Sequence, residues 1–482
     1  MSITASRRTF LKSLIASAVV LGFDPASRSW VTSAQAASFD RVPPLDGALA
    51  VDDASRAAMA DDYGHIVQRQ PLAVLTPGSV ADIVRMVQYA RKHRLSIAAR
   101  GQAHTTYGQS QVAGGIVVDM RALNTIHSIA ADRAVVDAGV LWSALLRATL
   151  AQSLTPPVLT DYIELSVGGT LSVGGVGGAS HRYGAQVDNV LELEVVTGEG
   201  KLETCSASRK RELFESVLAG LGQFGIITRA VVRLIPAEQR ARVFTLPYRD
   251  LATFTADQRR LAADERFSYV EGQIVPAADG GWSYVIEAAR FYTPPAAPDH
   301  SRLLAGLSYA RGGETVEDKT YFDFVNRLAP TVEFLKSIGV WGLPHPWVDL
   351  FLPDSETNRY VGETVATLTL ADTGQGPVLL YPVKTERFTR PLLRLPDEPI
   401  AFLLSILRTG SPDPNVIAAM LRGNRALYER NRDRGGKRYP IDAVPFSQQD
   451  WKDHFRPRWG QLVSAKRRYD PDNLLTPGQG IF

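Results

Sequence analysis

The residues best equipped for chemistry lie in one turn, Arg100-Gly-Gln-Ala-His-Thr-Thr-Tyr-Gly-Gln-Ser110, with His104 at its apex. Glycine gives a backbone room for positive φ and for close approach to a bulky ligand. The amides of such a turn can point at phosphate oxygens. A histidine among them is chemically able to bond to a flavin ring. A second stretch, Gly168 to Gly178, holds six glycines in eleven residues. Each interior glycine costs a helix about 1 kcal/mol against alanine. That density suits a backbone lying flat against a ligand better than an ordinary helix. The valine, leucine and threonine between the glycines point to a buried, ordered segment rather than a flexible loop.

Two strands must hold the histidine turn, and Leu95–Arg100 and Gly115–Met120 have the alternating apolar pattern for them. Ser79 followed by Asp82 starts a helix that turns Ile83, Val84, Val87 and Ala90 inward. It ends in Arg91, Lys92, His93 and Arg94, charges that favour a helix C-terminus. The residues up to Pro71 read as a linker. Ala134–Val140 reads as a strand and Leu141–Leu150 as a helix. Leu191–Thr197 and Lys201–Cys205 form a hairpin turning at Gly198-Glu-Gly200. A helix over Glu212–Leu221 and a long strand over Gly225–Pro236 follow. Strands and helices alternate, so the class is mixed α and β. From 237 to 440 aromatics and prolines gather, with strands at Phe267–Val275, Trp282–Phe291 and Val378–Val383. This reads as a second domain that builds a pocket. In the last forty residues Trp451, Phe455 and Trp459 share one helix, and a Pro-Gly-Gln turn packs the end of the chain.

A chain of 482 residues is long enough for two or more domains. With 45% apolar and 21% charged residues it has the balance of an ordinary globular protein. The lone Cys205 excludes an internal disulfide and reads as a small core residue, not a reactive thiol. No Cys/His cluster has zinc spacing, so no metal is expected. The charge excess comes from the N-terminus: taking four basic and one acidic residue of positions 1–36 from 53 and 50 leaves 49 of each. A neutral body gives no support to a nucleic-acid partner. Positions 1–36 read as a removable export signal of the twin-arginine type. Arg7 and Arg8 precede an apolar run from Ser13 to Phe23 and a cleavage site at Ala34-Gln-Ala36. The run falls short of the roughly 20 residues that span a bilayer, so no stable membrane anchor is expected. The expectations are the twin-arginine export machinery as a partner and a periplasmic or extracellular location. Export in the folded state suits a protein that loads its cofactor beforehand.

From about Pro71 to Phe482 the sequence resembles the cytokinin dehydrogenases, flavoenzymes of the vanillyl-alcohol-oxidase type fold. The resemblance is carried by the His104 loop, Asp161–Ser172, Asn189–Ser206 and Leu213–Arg229. Tyr269-Val-Glu-Gly272, Leu343-Pro-His-Pro-Trp347, Gly376–Val383 and the Pro-Gly-Gln end complete it. It implies an α+β, two-domain architecture. An FAD-binding domain is made of 37–236 and 441–482, with an α+β substrate-binding domain over 237–440 between them.

The resemblance also implies the chemistry. FAD is joined covalently through His104. Arg100, Gly101, Gln102, Ala103, Thr105, Gln109 and Ser110 lie against its pyrophosphate and ring, and Gly169, Thr170, Ser172, Gly174, Ile227 and Gln479 line the rest of its groove. The expected reaction is oxidation of the secondary amine of an N6-substituted adenine. Hydride passes to flavin N5, and the resulting imine hydrolyses to adenine and an aldehyde, with a quinone or oxygen as final electron acceptor. Asp161 stands where the family accepts the amine proton and also touches the cofactor, although it could instead cap the glycine segment. Glu271 stands where the family holds the purine edge, although a strand carboxylate could be merely half-exposed there. His345 and Trp347 either wall the pocket or form a buried structural turn. Three departures stand out: Ala103-His104-Thr105 replaces Gly-His-Ser, Val176–Tyr183 differs from Gly-Gln-Ala-Phe-Arg-His, and Ala443–Phe446 lacks the usual tyrosine and leucine. Ala103 would be strained if its position needs positive φ. An oxidase of an alcohol, sugar or phenol is the alternative enzyme, and a purine- or flavin-binding protein without turnover the alternative outside catalysis.

Overall fold

The computed structural model describes residues 20–32, 39–277, 280–374 and 376–482. The paired arginines Arg7 and Arg8, the apolar run up to residue 19 and the Ala34–Ala36 site lie outside the described residues.

The strands Ala73–Thr76, Ile116–Asp119 and Ile97–Arg100 run parallel, side by side, with Ala48–Ala50 antiparallel at one edge. Parallel neighbours cannot be joined by a tight hairpin. Residues 101–115 must therefore travel back along the sheet, and this makes the His104 loop a long arch. The helix Val80–His93, with Ser79 as its N-cap, shares a buried core with this sheet through Ile83, Met86 and Val87. The buried Asp82 carboxylate ties that helix down by accepting from the amides of Asp46, Gly47 and Gly78, each at 2.8 Å. A second sheet is antiparallel, in the order Leu202–Ser206, Val190–Val196, Ile226–Arg233, Arg133–Asp137, Ile126–Ala130.

The third sheet has eight strands among the described residues, all antiparallel, beginning at Arg240–Tyr248 and ending at Lys437–Arg438. Side chains alternate across a strand with a period of two. Phe351, Tyr381 and Leu403 accordingly join the core shared with the N-terminal sheets, while Leu350, Leu380 and Leu404 join a second core. The chain then returns. Ile97 donates its amide to the Leu474 carbonyl at 2.8 Å, and Thr476 donates to Ile97 at 2.9 Å. The last residues thus lie along the strand that leads into the His104 loop.

Four expectations change. The aromatic helix near the end is two helices, Gln448–His454 and Trp459–Tyr469, because Pro457 lacks the amide that would continue the first. The glycine segment begins as a short helix, Val167–Leu171. Glycine is tolerated there for closeness, since a Cβ on Gly168 would meet Ala138 Cβ at 2.7 Å. The supposed linker before Pro71 contains the helix Asp53–Ala58 and a turn bound to the His104 loop. Finally, part of the expected leader is packed. Gly22–Asp24 pairs with Ser29–Val31 and with Asp40–Arg41. Phe23 is 1% exposed, and the Trp30 ring stacks on Tyr89 at 6.1 Å.

Candidate active site

A cavity of about 820 Å³ lies between the His104 loop, the glycine segment and the face of the eight-stranded sheet. Arg100 through Thr105, with Gln109 and Ser110, border it on one side. Gly169, Thr170, Ser172, Ile227 and Gln479 border another stretch, and Asp161 and Glu271 a third. Gly174 is the exception. A Cβ there would face Leu393 and Tyr439, and it is Gly175 that borders the cavity.

The loop is held from below by a carboxylate that the sequence reading missed. Asp62 accepts from the Thr105 hydroxyl and the Gly108 amide, each at 2.7 Å, and from the Gly64 amide at 3.1 Å. Burial, the largest cause, pushes its carboxyl up to about 6 against those three bonds. Tyr63 and Gly64 donate their amides to the carbonyls of Ala103 and Thr105. Arg100 does not point along the loop; its guanidinium donates to the carbonyls of Met59 and Asp61. Gln109 donates to the Asp442 carbonyl at 2.8 Å, tying the loop to the C-terminal segment. Ala103 adopts φ +52°, the left-handed region that costs an L-residue about 1–2 kcal/mol. The strain expected from its sequence is present.

His104 is enclosed by rings: Tyr63 at 4.1 Å, Tyr162 at 5.0 Å, Trp347 at 5.5 Å and Trp341 at 5.9 Å. Burial first, and then nearby His345, push its imidazole down to about 3. It is a neutral ring with a lone pair, the form that can act as a nucleophile. His345 stacks on Tyr63 at 4.1 Å with an interplanar angle of 7°, and both His345 and Trp347 border the cavity. The pocket-wall reading of that turn is the one the geometry favours.

These features suit a dinucleotide with a flat ring. Among the described residues, nothing accepts from the amides of Gln102, Ala103, His104 or Thr105, although all four residues border the cavity. Unpaired backbone donors need partners, and phosphate oxygens or a polar ring edge would supply them. At Gly101 any side chain would collide with Ser166 Oγ, at 2.1 Å, so the backbone there stays bare. The start of the glycine segment is fixed too: Trp142 Nε1 donates to Thr170 Oγ1 at 2.7 Å, and Ser172 Oγ to the Gly168 carbonyl at 2.8 Å.

Asp161 directly precedes Tyr162, the residue against the His104 ring. Tyr269 and Glu271, two apart on the strand Tyr269–Pro276, face the same side. The Tyr269 hydroxyl lies 2.6 Å from Asp161 Oδ1 and also bonds Glu271 Oε2. Arg327 inserts between them, with Nη2 2.9 Å from Asp161 and Nε 2.8 Å from Glu287. Glu271 is 3% exposed. Burial, then the Asp161 charge, hold its carboxyl well above the usual range. The two expected carboxyls are thus brought together, through a tyrosine and an arginine that sequence reasoning left unassigned. The one available signal for Tyr269 was its i, i+2 spacing from Glu271. Arg327, in an irregular turn, gave none. Among the described residues no group of His, Cys, Asp and Glu could hold a metal, and no helix is long and apolar enough to cross a membrane.

Comparison with known proteins gives consistent matches. A family model described as "Cytokinin dehydrogenase 1, FAD and cytokinin binding" matches residues 273–482, and one described as "FAD binding domain" matches residues 71–206. The chain is 42% identical to an uncharacterised oxidoreductase of the fasciation locus of Rhodococcoides fascians, over 90% of this chain and 99% of that one. It is 36% identical to cytokinin dehydrogenase 2 of Arabidopsis thaliana, over 93% of this chain and 96% of that one. The crystal structure of 6-hydroxy-D-nicotine oxidase from Arthrobacter nicotinovorans superposes with a TM-score of 0.69 over 89% of this chain and 96% of that one. At 20% identity that likeness concerns the fold alone.

Proposed function

The chain belongs to the cytokinin dehydrogenase family of FAD-dependent oxidoreductases, and from that premise we propose that it oxidises the secondary amine of an N6-isoprenoid adenine. Its fold is of the vanillyl-alcohol-oxidase type, with mixed helix and sheet, an FAD-binding part and a second domain. The observation that carries the reading is a linked carboxyl pair, half-buried Asp161 and buried Glu271, on the wall of the cavity that the His104 loop borders.

Bound FAD supplies the acceptor for a hydride. The residues of the chain do the rest. Asp161 accepts the hydrogen of the substrate N–H, which frees the nitrogen lone pair to assist hydride departure from the adjacent carbon. The proton passes to Asp161, and the neutral imine hydrolyses to adenine and an aldehyde. Tyr63, Trp341 and Trp347 crowd water from the His104 side of the cavity. Neutral His104 would hold the flavin by its ring methyl, fixing the cofactor's orientation. The unpaired amides of the loop would meet its phosphates. Arg7 and Arg8 support export by the twin-arginine route to the periplasm or beyond, with a quinone or oxygen taking the electrons there.

Anaerobic isopentenyladenine should bleach the flavin of the purified protein, and alcohols and sugars should not. Bleaching by an alcohol, sugar or phenol alone would replace the amine reading with a related oxidase. No bleaching by any of them would leave a binding protein.

A further inference from the structure

Tyr269 has one hydroxyl proton and two carboxyl neighbours. Its oxygen lies 2.6 Å from Asp161 Oδ1 and within hydrogen-bond reach of Glu271 Oε2. Arg327 Nη2, which only donates, reaches the same oxygen. A phenol offers one proton and two lone pairs. Arg327 takes one lone pair, and the phenol proton satisfies one carboxyl. The other carboxyl must bring its own proton to the remaining lone pair.

Burial decides which one does. The Glu271 side chain is 3% exposed and that of Asp161 18%. The more deeply buried carboxyl is the costlier to ionise. Charge balance agrees, because the single guanidinium of Arg327 faces three carboxyls, those of Asp161, Glu271 and Glu287. Glu287 is directly opposite Glu271 in the strand register. The remaining titratable neighbour of the pair is Tyr381, kept neutral chiefly by burial. The ring of Tyr269 is fixed by Phe324, edge to face at 5.0 Å, and Arg327 lies over it at 4.8 Å.

We infer that Tyr269 and Arg327 are positioning residues that assign one proton between two carboxyls. Glu271 is the neutral donor to the phenol, the phenol donates to Asp161, and Asp161 stays ionised toward the cavity. The hydrogen bonds then run one way, from the strand to the loop. A wall carrying two anions would set both carboxyls in competition for the single phenol proton and leave one of them unpaired toward the phenol oxygen. A wall carrying one accepts a hydrogen bond and leaves the substrate nitrogen neutral.

The kinetic half of the test rests on the amine reading above, but the spectroscopic half needs no substrate. Infrared spectra of the FAD-loaded protein at neutral pH should contain a protonated-carboxyl band that disappears in Glu271→Gln. In Tyr269→Phe the band should remain but move to higher frequency, because the acid has lost its acceptor. The same variant should lower kcat with isopentenyladenine more than it raises KM, moving the limb of the rate that depends on the carboxyl network, because Asp161 loses the donor that orients it toward the cavity. If Tyr269→Phe fails to fold, Arg327→Lys keeps a cation but removes the fork, and should shift the same band. A protonated-carboxyl region unchanged by Glu271→Gln, with bands lost from the carboxylate region instead, would show Glu271 ionised and overturn the assignment. A Tyr269→Phe protein with band and limb both unmoved would remove the tyrosine from it. If no adenine derivative is oxidised, the band still tests the proton assignment alone.

Discussion

The Asp62 carboxylate accepts the Thr105 hydroxyl at 2.7 Å, so the residue beside His104 is held by a group forty-three positions earlier in the chain. That carboxyl is raised to about 6 in the folded protein, from an ordinary value of 3.8, with burial as the main cause. The folded state therefore binds its proton more tightly than the unfolded state does. The associated stability is complete below about pH 4 and is lost as pH rises through about 6. In thermal melts from pH 4 to 7, the wild type should lose on the order of 3 kcal/mol relative to Asp62→Asn, which has no proton to lose there. A gap independent of pH would mean that Asp62 does not titrate in this window.

His104→Ala should release the flavin into the supernatant after acid precipitation, whereas the wild-type pellet stays yellow. Because the imidazole is pushed down to about 3 by burial and His345, attachment should not fall off between pH 5 and 8. A sharp loss of attachment below pH 6.5, the range of an ordinary histidine, would contradict the neutral ring.

Ala103→Gly relieves a left-handed residue at φ +52°. It should stabilise the holoprotein by about 1 kcal/mol, read as a higher Tm, without changing the flavin spectrum. An unchanged or lower Tm would mean that glycine's freedom in the unfolded chain outweighs the relief.

Asp161→Asn keeps the size of the side chain but removes the charge that we propose receives the amine proton. Anaerobic flavin reduction by isopentenyladenine should slow by roughly 10²–10⁴-fold, with FAD content unaltered. Reduction at the wild-type rate would move the acceptor role to another group.

How much of this was legible beforehand depended on whether a residue's partner was near in sequence. The helix from Val80 was readable because Ser79, Asp82 and the apolar spacing all lie within one segment. The strands flanking His104 were readable from alternation. Asp62 and Arg327 were not, because each sits in an irregular turn where a charge looks merely solvated. Their partners, Thr105 for one and Asp161 with Glu287 for the other, come from distant segments. The glycine segment misled in a different way. Local propensity argued against a helix at Val167–Leu171, but close packing on Ala138 overrode it.

The packed Phe23 yields a further expectation. Phe23→Ala should destabilise the full-length protein by about 3 kcal/mol, as a buried phenylalanine does, when melts are compared. A loss near zero would mean that the strands Gly22–Asp24 and Ser29–Val31 contribute nothing to the folded body.

The seam between Ile97 and residues 474–476 bears on how the protein is made. The strand that launches the His104 loop has its neighbour at the far end of the polypeptide, and Gln479 borders the cavity itself. A nascent chain still on the ribosome would hold the loop without its backing and the groove without one wall. A product cut short before residue 474 should therefore lack both the backing of the loop and one wall of the groove, and should take up no flavin.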